Sequence, residues 1–373
     1  MAEYYSAGIG PSRRSGGGKR RSGKELALFV LDVTMGLVML VLLFLSLTAI
    51  VCQYVSPERS GVLSVVALGA PIIYLLDIVM MFYWLARTRW IMAIIMSSMV
   101  ITGFFYISKY YNLSIDREYD VKYKESHYTK VMTYNVHEGR DSTLVRYIES
   151  HNPDILCLQE ITTNTDHWNT LNERYNTTYA AYTDSPNHIL SKYKIVRSGE
   201  IDELPVITGL WADVKVNNDT VRVVNIHLQS TAIRVEDTQF LESHGYLVDE
   251  QRDTKLRSIV GRLVDNNKVR AGQARQVAEF LKRSPYKLIV CGDFNDVPLS
   301  YTYRTISRDL KDCFSEKARG FAYTYNTRYG LLRIDNILVS PSIEVASYEV
   351  DNDISLSDHY PVISRLKFNT PKR

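Results

Sequence analysis

Cysteine is scarce, with four in 373 residues, and that number excludes a disulfide scaffold. Cys52, Cys157 and Cys291 stand in apolar runs that suit buried thiols, and Cys313 has no evident partner. With 19 glycines and 11 prolines, the chain is neither a collagen-like repeat nor a low-complexity tract. No internal repeat is present. An excess of one charge sign is also missing: 44 Lys/Arg stand against 41 Asp/Glu, and residues 120–373 carry 33 against 34. The larger part of the chain therefore has no polycationic field of the kind that grips duplex DNA. A cleaved leader is not expected, because the first apolar run exceeds the roughly 7–15-residue core of a signal peptide and no small-residue cleavage site follows it.

What the chain does have, before residue 110, is apolar length. Three runs, about Val33–Val55, Val62–Ala86 and Ile91–Ile107, meet the need of a spanning helix for about 17–25 apolar residues. Arg13, Arg14, Lys19, Arg20, Arg21 and Lys24 precede the first run, with no acid between Tyr4 and Lys24. Glu58 and Arg59 cancel in the first loop, and Arg87 and Arg89 lie in the second. Positive charge stays cytoplasmic, so three spans predict a cytoplasmic N-terminus and an extracytoplasmic remainder. The expected division is a disordered basic tail over 1–25, which could touch anionic lipid, a membrane domain over 26–110, a linker over 111–127 and a soluble domain over 128–368. Asp32 sits near the end of a run and can reach the headgroups; Asp77 lies deeper and is expected to bond to a neighbouring helix or to mark function.

From about Lys130 short apolar runs end in polar residues. Val131–Val136, Asp154–Glu160, a stretch in 188–197, Gly209–Val216, Val221–Leu228, Lys287–Cys291, Arg333–Val339 and Val362–Leu366 read as strands, with a hairpin at Asn217-Asn218-Asp219. Leu144–Ser150 has helical spacing stopped by Pro153, Leu256–Val264 forms a second helix face, and a third helix is expected over Val269–Lys282. Irregular alternation with a hairpin predicts a layered α/β domain with mixed sheets, and about 250 residues suffice for one large core.

The strand ends carry the chemistry: Asn135, Glu160, His227, Asp293 with Asn295, Asp335 with Asn336, and Asp358 with His359. Strand ends of a layered sheet converge on one edge and host sites there. Carboxylate and amide oxygens suit a hard cation such as Mg²⁺ or Mn²⁺, and histidines suit charge developing on a phosphate. No cysteine joins the set, which speaks against structural zinc.

The segments "MTYNVH", "PDILCLQE", "NIHL", "GDFND", "RIDNIL" and "SDHYPV", in this order, resemble the endonuclease/exonuclease/phosphatase superfamily over roughly residues 128–368. That resemblance implies a four-layer α/β sandwich with two mixed β-sheets, here preceded by three transmembrane helices, and Mg²⁺- or Mn²⁺-dependent hydrolysis of a phosphoester by water. Carried over by position, it implies Glu160 as the principal metal carboxylate, Asn135 as a metal-site or water-holding residue and Asp358 as the second acid at the metal. It further implies Asp293 acting on the attacking water, Asn295 holding phosphate or water, and His359, fixed by Asp335, donating to a phosphoryl oxygen. His227 takes the other phosphate-stabilising place. His137 and Glu138 read as loop residues, and His188 as an edge of the pocket.

One departure from compact relatives is the long connection Thr231–Gly272, with seven basic and seven acidic residues between Arg234 and Arg270. It is expected to flank the site and to select the substrate. A nucleic acid, a lipid headgroup and an inositol phosphate all remain open, with the lipid bilayer as the other partner and no obligate protein partner evident. The competing reading is a non-catalytic, membrane-tethered binding or sensory module on the same fold.

Overall fold

The computed structural model describes residues 23–112, 128–138, 142–161, 171, 175, 186–201, 204, 209–231, 237, 240, 249–326 and 332–368. The basic tail before Gly23, most of the linker and much of the connection between residues 232 and 248 lie outside the described residues.

Three segments are long and apolar enough to cross a membrane: Gly23–Tyr54, Gly61–Ala86 and Trp90–Ile107. The first is helix α1 (Gly23–Val51), closed by a tight 3₁₀ turn at Cys52–Tyr54. The second run is broken, into α2 (Gly61–Val66) and α3 (Ala70–Ala86). Pro71 in the first turn of α3 explains the new start, since its ring suits a first helical position and not an interior one. The third is α4 (Trp90–Ile107). Polar contacts fix the bundle. Asp32 accepts hydrogen bonds from Tyr83, Arg87 and Arg89, joining the start of α1 to the end of α3. Asp77 on α3 accepts from Ser46 on α1 at 2.5 Å, the interhelical bond expected of a buried acid.

The remaining helices are α5 (Ser142–His151), α6 (Asp249–Lys282), α7 (Tyr301–Ser307) and α8 (Cys313–Lys317). The strands are β1 (Tyr111–Asn112), β2 (Thr129–Glu138), β3 (Ile155–Ile161), β4 (His188–Ser191), β5 (Ile195–Glu200), β6 (Gly209–Val216) and β7 (Asp219–His227), followed by β8 (Lys287–Asp293), β9 (Lys311–Asp312), β10 (Gly320–Phe321), β11 (Asp335–Val339), β12 (Ile343–Val350) and β13 (Val362–Phe368). One sheet runs β12-β13-β2-β3-β4 and the other β5-β6-β7-β8-β11-β9. Each is mixed, with a single parallel pair, β2–β3 in the first and β7–β8 in the second. Between the sheets lies a core of Val131, Ile155, Cys157, Leu210, Val214, Val223, Ile289, Cys291 and Ile337. Leu144, Val145 and Ile148 of α5 pack on the outer face of the first sheet, and Ala274, Val277 and Leu281 of α6 on the outer face of the second. The result is the four-layer α/β sandwich. The four cysteines are free and buried.

Two sequence expectations change. The stretch 188–197 is two strands in different sheets, because the chain turns at Lys192–Lys194 and crosses from one layer to the other. The helices expected at Leu256–Val264 and Val269–Lys282 are one 34-residue helix, α6. Gly261 within it meets nothing within 4 Å, so it costs helix propensity, about 1 kcal/mol, without breaking the rod. Packing offsets that cost: a Cβ on Gly61 of α2 would lie 2.2 Å from Val264, and Asn267 donates to Ser64. The latter part of the Thr231–Gly272 connection is therefore not a detachable loop.

The apolar helices do not simply trail the α/β domain. Ala49, Cys52, Ala67, Ala70 and Tyr110 share one apolar cluster with Val297, Leu299 and Ile334 of the α/β domain. Cys52 lies 3.5 Å from the Leu299 carbonyl as a sulfhydryl donor, and Glu58 pairs with Arg275 at 2.7 Å. Even the first linker residues are engaged, as Tyr111 pairs with Phe321 in a small ribbon.

Candidate active site

The two sheets present their polar strand ends at one edge. In the second sheet His227 stands beside Asp293 across the parallel β7–β8 pair, and Asp335 stands opposite Asp293 across β8–β11. In the first sheet Asn135, near the end of β2, pairs with Gln159 of β3, the residue before Glu160. Asn135 joins the two layers: its amide nitrogen donates to Glu160 at 2.9 Å and to Asp293 at 3.2 Å. Beneath it a buried polar layer pins the sheets together. Gln159 donates to Thr133 at 3.0 Å and to Asn225 at 2.6 Å, and Asn225 donates to the carbonyls of Leu158 and His188. His188 is thus a buried residue of β4 below the site, not an edge of the opening.

Backbone strain gathers here. Of nine described residues with positive φ, five flank the site: His137, Glu138, Glu160, Gly292 and Asn295. Such conformations persist where the surrounding structure over-determines them. Gly292 has φ +127°, and a Cβ there would sit 1.9 Å from the Ile226 carbonyl oxygen of the neighbouring strand. Only glycine lets β8 lie this close to β7 just before Asp293. Gly292→Ala is expected to cost about 1–3 kcal/mol, read as a lower unfolding midpoint of the full chain in detergent; an unchanged midpoint would contradict this account.

The electrostatics divide the carboxylates. Asp293 is 1% exposed; its Oδ1 accepts from the Asn295 backbone at 2.7 Å and its Oδ2 from the Asn295 side chain at 3.1 Å. Burial and the facing Asp335 push its pKa up to about 6, against the pull of His359 and His227. Burial also pushes Glu160 up, but the Asn135 hydrogen bond and the charges of His227 and His359 outweigh it, and the carboxyl stays below its ordinary value. His359 Nδ1 bonds Asp335 Oδ2 at 2.9 Å, and its Nε2 lies 3.7 Å from Asp293. Burial would strip the His359 proton, yet Asp335 and Asp293 prevail and raise its pKa to about 10. Asp335 is fixed in turn by its backbone N–H donating to Thr324, and the Tyr325 ring packs edge-on at 4.9 Å from His359. His227 Nε2 lies 3.3 Å from Glu160 and 3.8 Å from Asp293. Arg270, buried on α6, donates to the Gln229 carbonyl at 2.7 Å and lies 3.7 Å from Asp296, tying that helix to both loops of the edge.

Seven of the eight expected residues thus form one connected cluster. Asp358 is at its rim, with its carboxylate 43% exposed and 4.0 Å from His137 Nδ1; Glu160 approaches the same nitrogen at 3.4 Å. His137 therefore sits between the two expected metal carboxylates; it and Glu138 were expected in a loop, but they are the last two residues of β2, where its pairing with β3 shifts register. The missed signal is its neighbourhood, two residues after Asn135, where the backbone of β2 turns left-handed. Gln159 and Asn225 were also missed, although each lies within two residues of a site residue.

Asp293, Asp335 and His359 form a group whose ligand atoms lie within 4.8 Å of one another and that could hold a metal ion. A cation fits the edge as a whole, since four carboxylates converge there and the facing Asp335 raises Asp293. A protonated histidine, however, has no lone pair to give, and His359 is held cationic with Nδ1 already committed to Asp335. Glu160 and Asp358, the more open carboxylates, are the better oxygen donors for a hard ion.

The model of the Endonuclease/Exonuclease/phosphatase family matches residues 132–359, more than half of the chain. A second model, a domain of unknown function (DUF8431), matches residues 32–110. No curated protein matches. Among solved structures, an endonuclease/exonuclease/phosphatase family protein from Bacteroides thetaiotaomicron is 18% identical, with 66% of this chain and 96% of that one covered and a TM-score of 0.46. A humanized D. rerio TDP2 is 18% identical, covering 65% and 99%, with a TM-score of 0.45. The human Nocturnin catalytic domain with bound sulfate is 18% identical, covering 65% and 94%, with a TM-score of 0.44.

Proposed function

The chain belongs to the endonuclease/exonuclease/phosphatase family, and from that premise we propose that it is a membrane-anchored hydrolase that cleaves a phosphoester by water attack with Mg²⁺ or Mn²⁺. The observation that carries this reading is the joined cluster of Asn135, Glu160, His227, Asp293, Asp335 and His359, with two imidazoles facing carboxylates of unequal basicity. Glu160 and Asp358, with Asn135 behind them, would hold the cation, which supplies charge neutralisation on the phosphoryl oxygens. Asp293, raised toward neutrality by burial, is the base that takes a proton from water. Asn295 aligns that carboxylate through both its backbone and side-chain donors. His359 remains protonated and donates to a phosphoryl oxygen from Nε2, while Asp335 holds Nδ1–H. His227 faces the same space from β7. The decisive assay offers the full chain Mg²⁺ with DNA, RNA, sphingomyelin, inositol phosphates and an aryl phosphodiester; no turnover on any of them would remove the hydrolase reading.

The proposed division is a cytoplasmic tail over 1–25, a membrane domain over 26–110, a linker over 111–127 and an extracytoplasmic catalytic domain over 128–368. The apolar cluster of Ala49, Ala70 and Tyr110 with Val297, Leu299 and Ile334 supports a catalytic edge held close to the bilayer, because Leu299 and Ile334 belong to the segments that bear Asn295 and Asp335. A C-terminal alkaline phosphatase fusion is expected to be active and a green fluorescent protein fusion dark. The reverse pattern would place the domain in the cytoplasm.

A further inference from the structure

Beside the 3₁₀ turn that ends the first apolar helix lies a cleft of about 560 Å³, and none of its lining residues belongs to the catalytic cluster. Its volume is that of a small-ligand site. Tyr54 walls it from the membrane domain, Arg275 and Lys282 from α6, and Arg304 and Arg308 from α7 and the residue after it. The first two cations are spoken for: Arg275 pairs with Glu58 at 2.7 Å and Lys282 with Glu279 at 2.6 Å. Arg304 instead lies over the Tyr54 ring, 4.0 Å from its centroid. Among the described residues neither Arg304 nor Arg308 forms an ion pair, although Asp309 stands exposed on the same rim. Two guanidinium groups without counter-ions therefore line one cleft, and their planar forks match phosphate oxygens.

The depth of the cleft selects the ligand. Tyr54 closes a segment that is long and apolar enough to span a bilayer, and a half-exposed tyrosine at such an end sits at headgroup level. We infer that this cleft binds the phosphate of an anionic phospholipid headgroup, with Arg304 and Arg308 as its ligands and Tyr54 as the platform that orients Arg304. The inference rests on the first segment crossing a bilayer and is independent of any catalytic activity. Free inorganic phosphate has the same oxygen chemistry but no acyl chains to hold it at this depth.

The test uses the full chain in nanodiscs of phosphatidylcholine with a minor share of phosphatidylglycerol, followed by native mass spectrometry of the lipids retained per chain. The wild type is expected to retain phosphatidylglycerol in preference to phosphatidylcholine. The double variant R304Q/R308Q is expected to lose that preference by roughly ten- to thirty-fold, and R304K/R308K to keep part of it. Ala278→Trp, which fills the cleft from α6 and leaves both arginines in place, is expected to show the same loss, so the result does not hang on one variant folding. Equal phosphatidylglycerol retention by the wild type, R304Q/R308Q and Ala278→Trp overturns the inference. So does complete displacement of the lipid by inorganic phosphate, which would assign the cleft to a soluble anion. Hydrolysis of an aryl phosphodiester by the same samples is read separately, so failure of the lipid site and failure of the hydrolase reading are distinguishable.

Discussion

Glu160→Gln and Asp293→Asn are expected to disable hydrolysis in two different ways. Glu160 is the open, low-pKa carboxylate beside Asn135 and His227. Its replacement removes a full charge from a hard-ion site, so Mg²⁺ binds more weakly and added metal restores part of the rate. Asp293 is buried, accepts three hydrogen bonds from Asn295 and Asn135, and has a pKa pushed up to about 6. Its replacement leaves the open carboxylates in place but removes the proton acceptor, which costs typically ~10²–10⁴-fold in turnover. Steady-state kinetics with Mg²⁺ titration separates the two: a shifted metal dependence for Glu160→Gln, an unshifted one with a low plateau for Asp293→Asn. Near wild-type turnover in both variants at ordinary Mg²⁺ would mean that neither Glu160 nor Asp293 has the role assigned to it here.

The sequence made the candidate edge legible because most of the site residues lie at or beside a strand end, and strand ends in a layered sheet have few places to go. Asn135, Glu160, His227, Asp293 and Asp335 needed only the correct sheet order to meet, and the parallel pairs β2–β3 and β7–β8 supply it. His137 was illegible for the opposite reason. Its position between Glu160 and Asp358 depends on a left-handed backbone at φ +42°, which no side-chain pattern announces. Asp358 read as the second acid beside Glu160, and it stands on the rim, where the Ser357 hydroxyl donates to its carboxylate.

The contact between the apolar helices and the segments beside the candidate site was also invisible in the sequence. Val297, Leu299 and Ile334 look like ordinary interior residues, and Ala49, Ala67 and Ala70 like ordinary parts of apolar runs. Hydrophobicity says that each is buried but not against what. The same ambiguity split α6 into the two helices expected at Leu256–Val264 and Val269–Lys282, whereas α2 packs on Val264 and Asn267 between them and the rod is continuous. Long-range contacts of this kind make the three apolar segments part of the architecture that positions the Asp293–Ser300 loop.

His359→Ala is expected to lower the rate by about 10²–10³-fold, the usual loss of one charge-stabilising donor, without moving the Mg²⁺ dependence. Asp335→Asn should do the same more mildly, because it acts through the 2.9 Å bond to His359 Nδ1. The double variant should be no worse than His359→Ala alone, since residues that work as one unit are not additive. The pH profile distinguishes positioning from mere structure. Asp335 and Asp293 raise His359 to about 10 against burial, which would lower it. A histidine is cationic below its pKa, so the wild-type donor stays charged through neutral pH. Asp335→Asn removes the largest raising influence, the His359 pKa falls, and the alkaline loss of activity must begin at lower pH. An alkaline limb that stays in place in Asp335→Asn, or a double variant that multiplies the two single losses, would mean that Asp335 and His359 act separately.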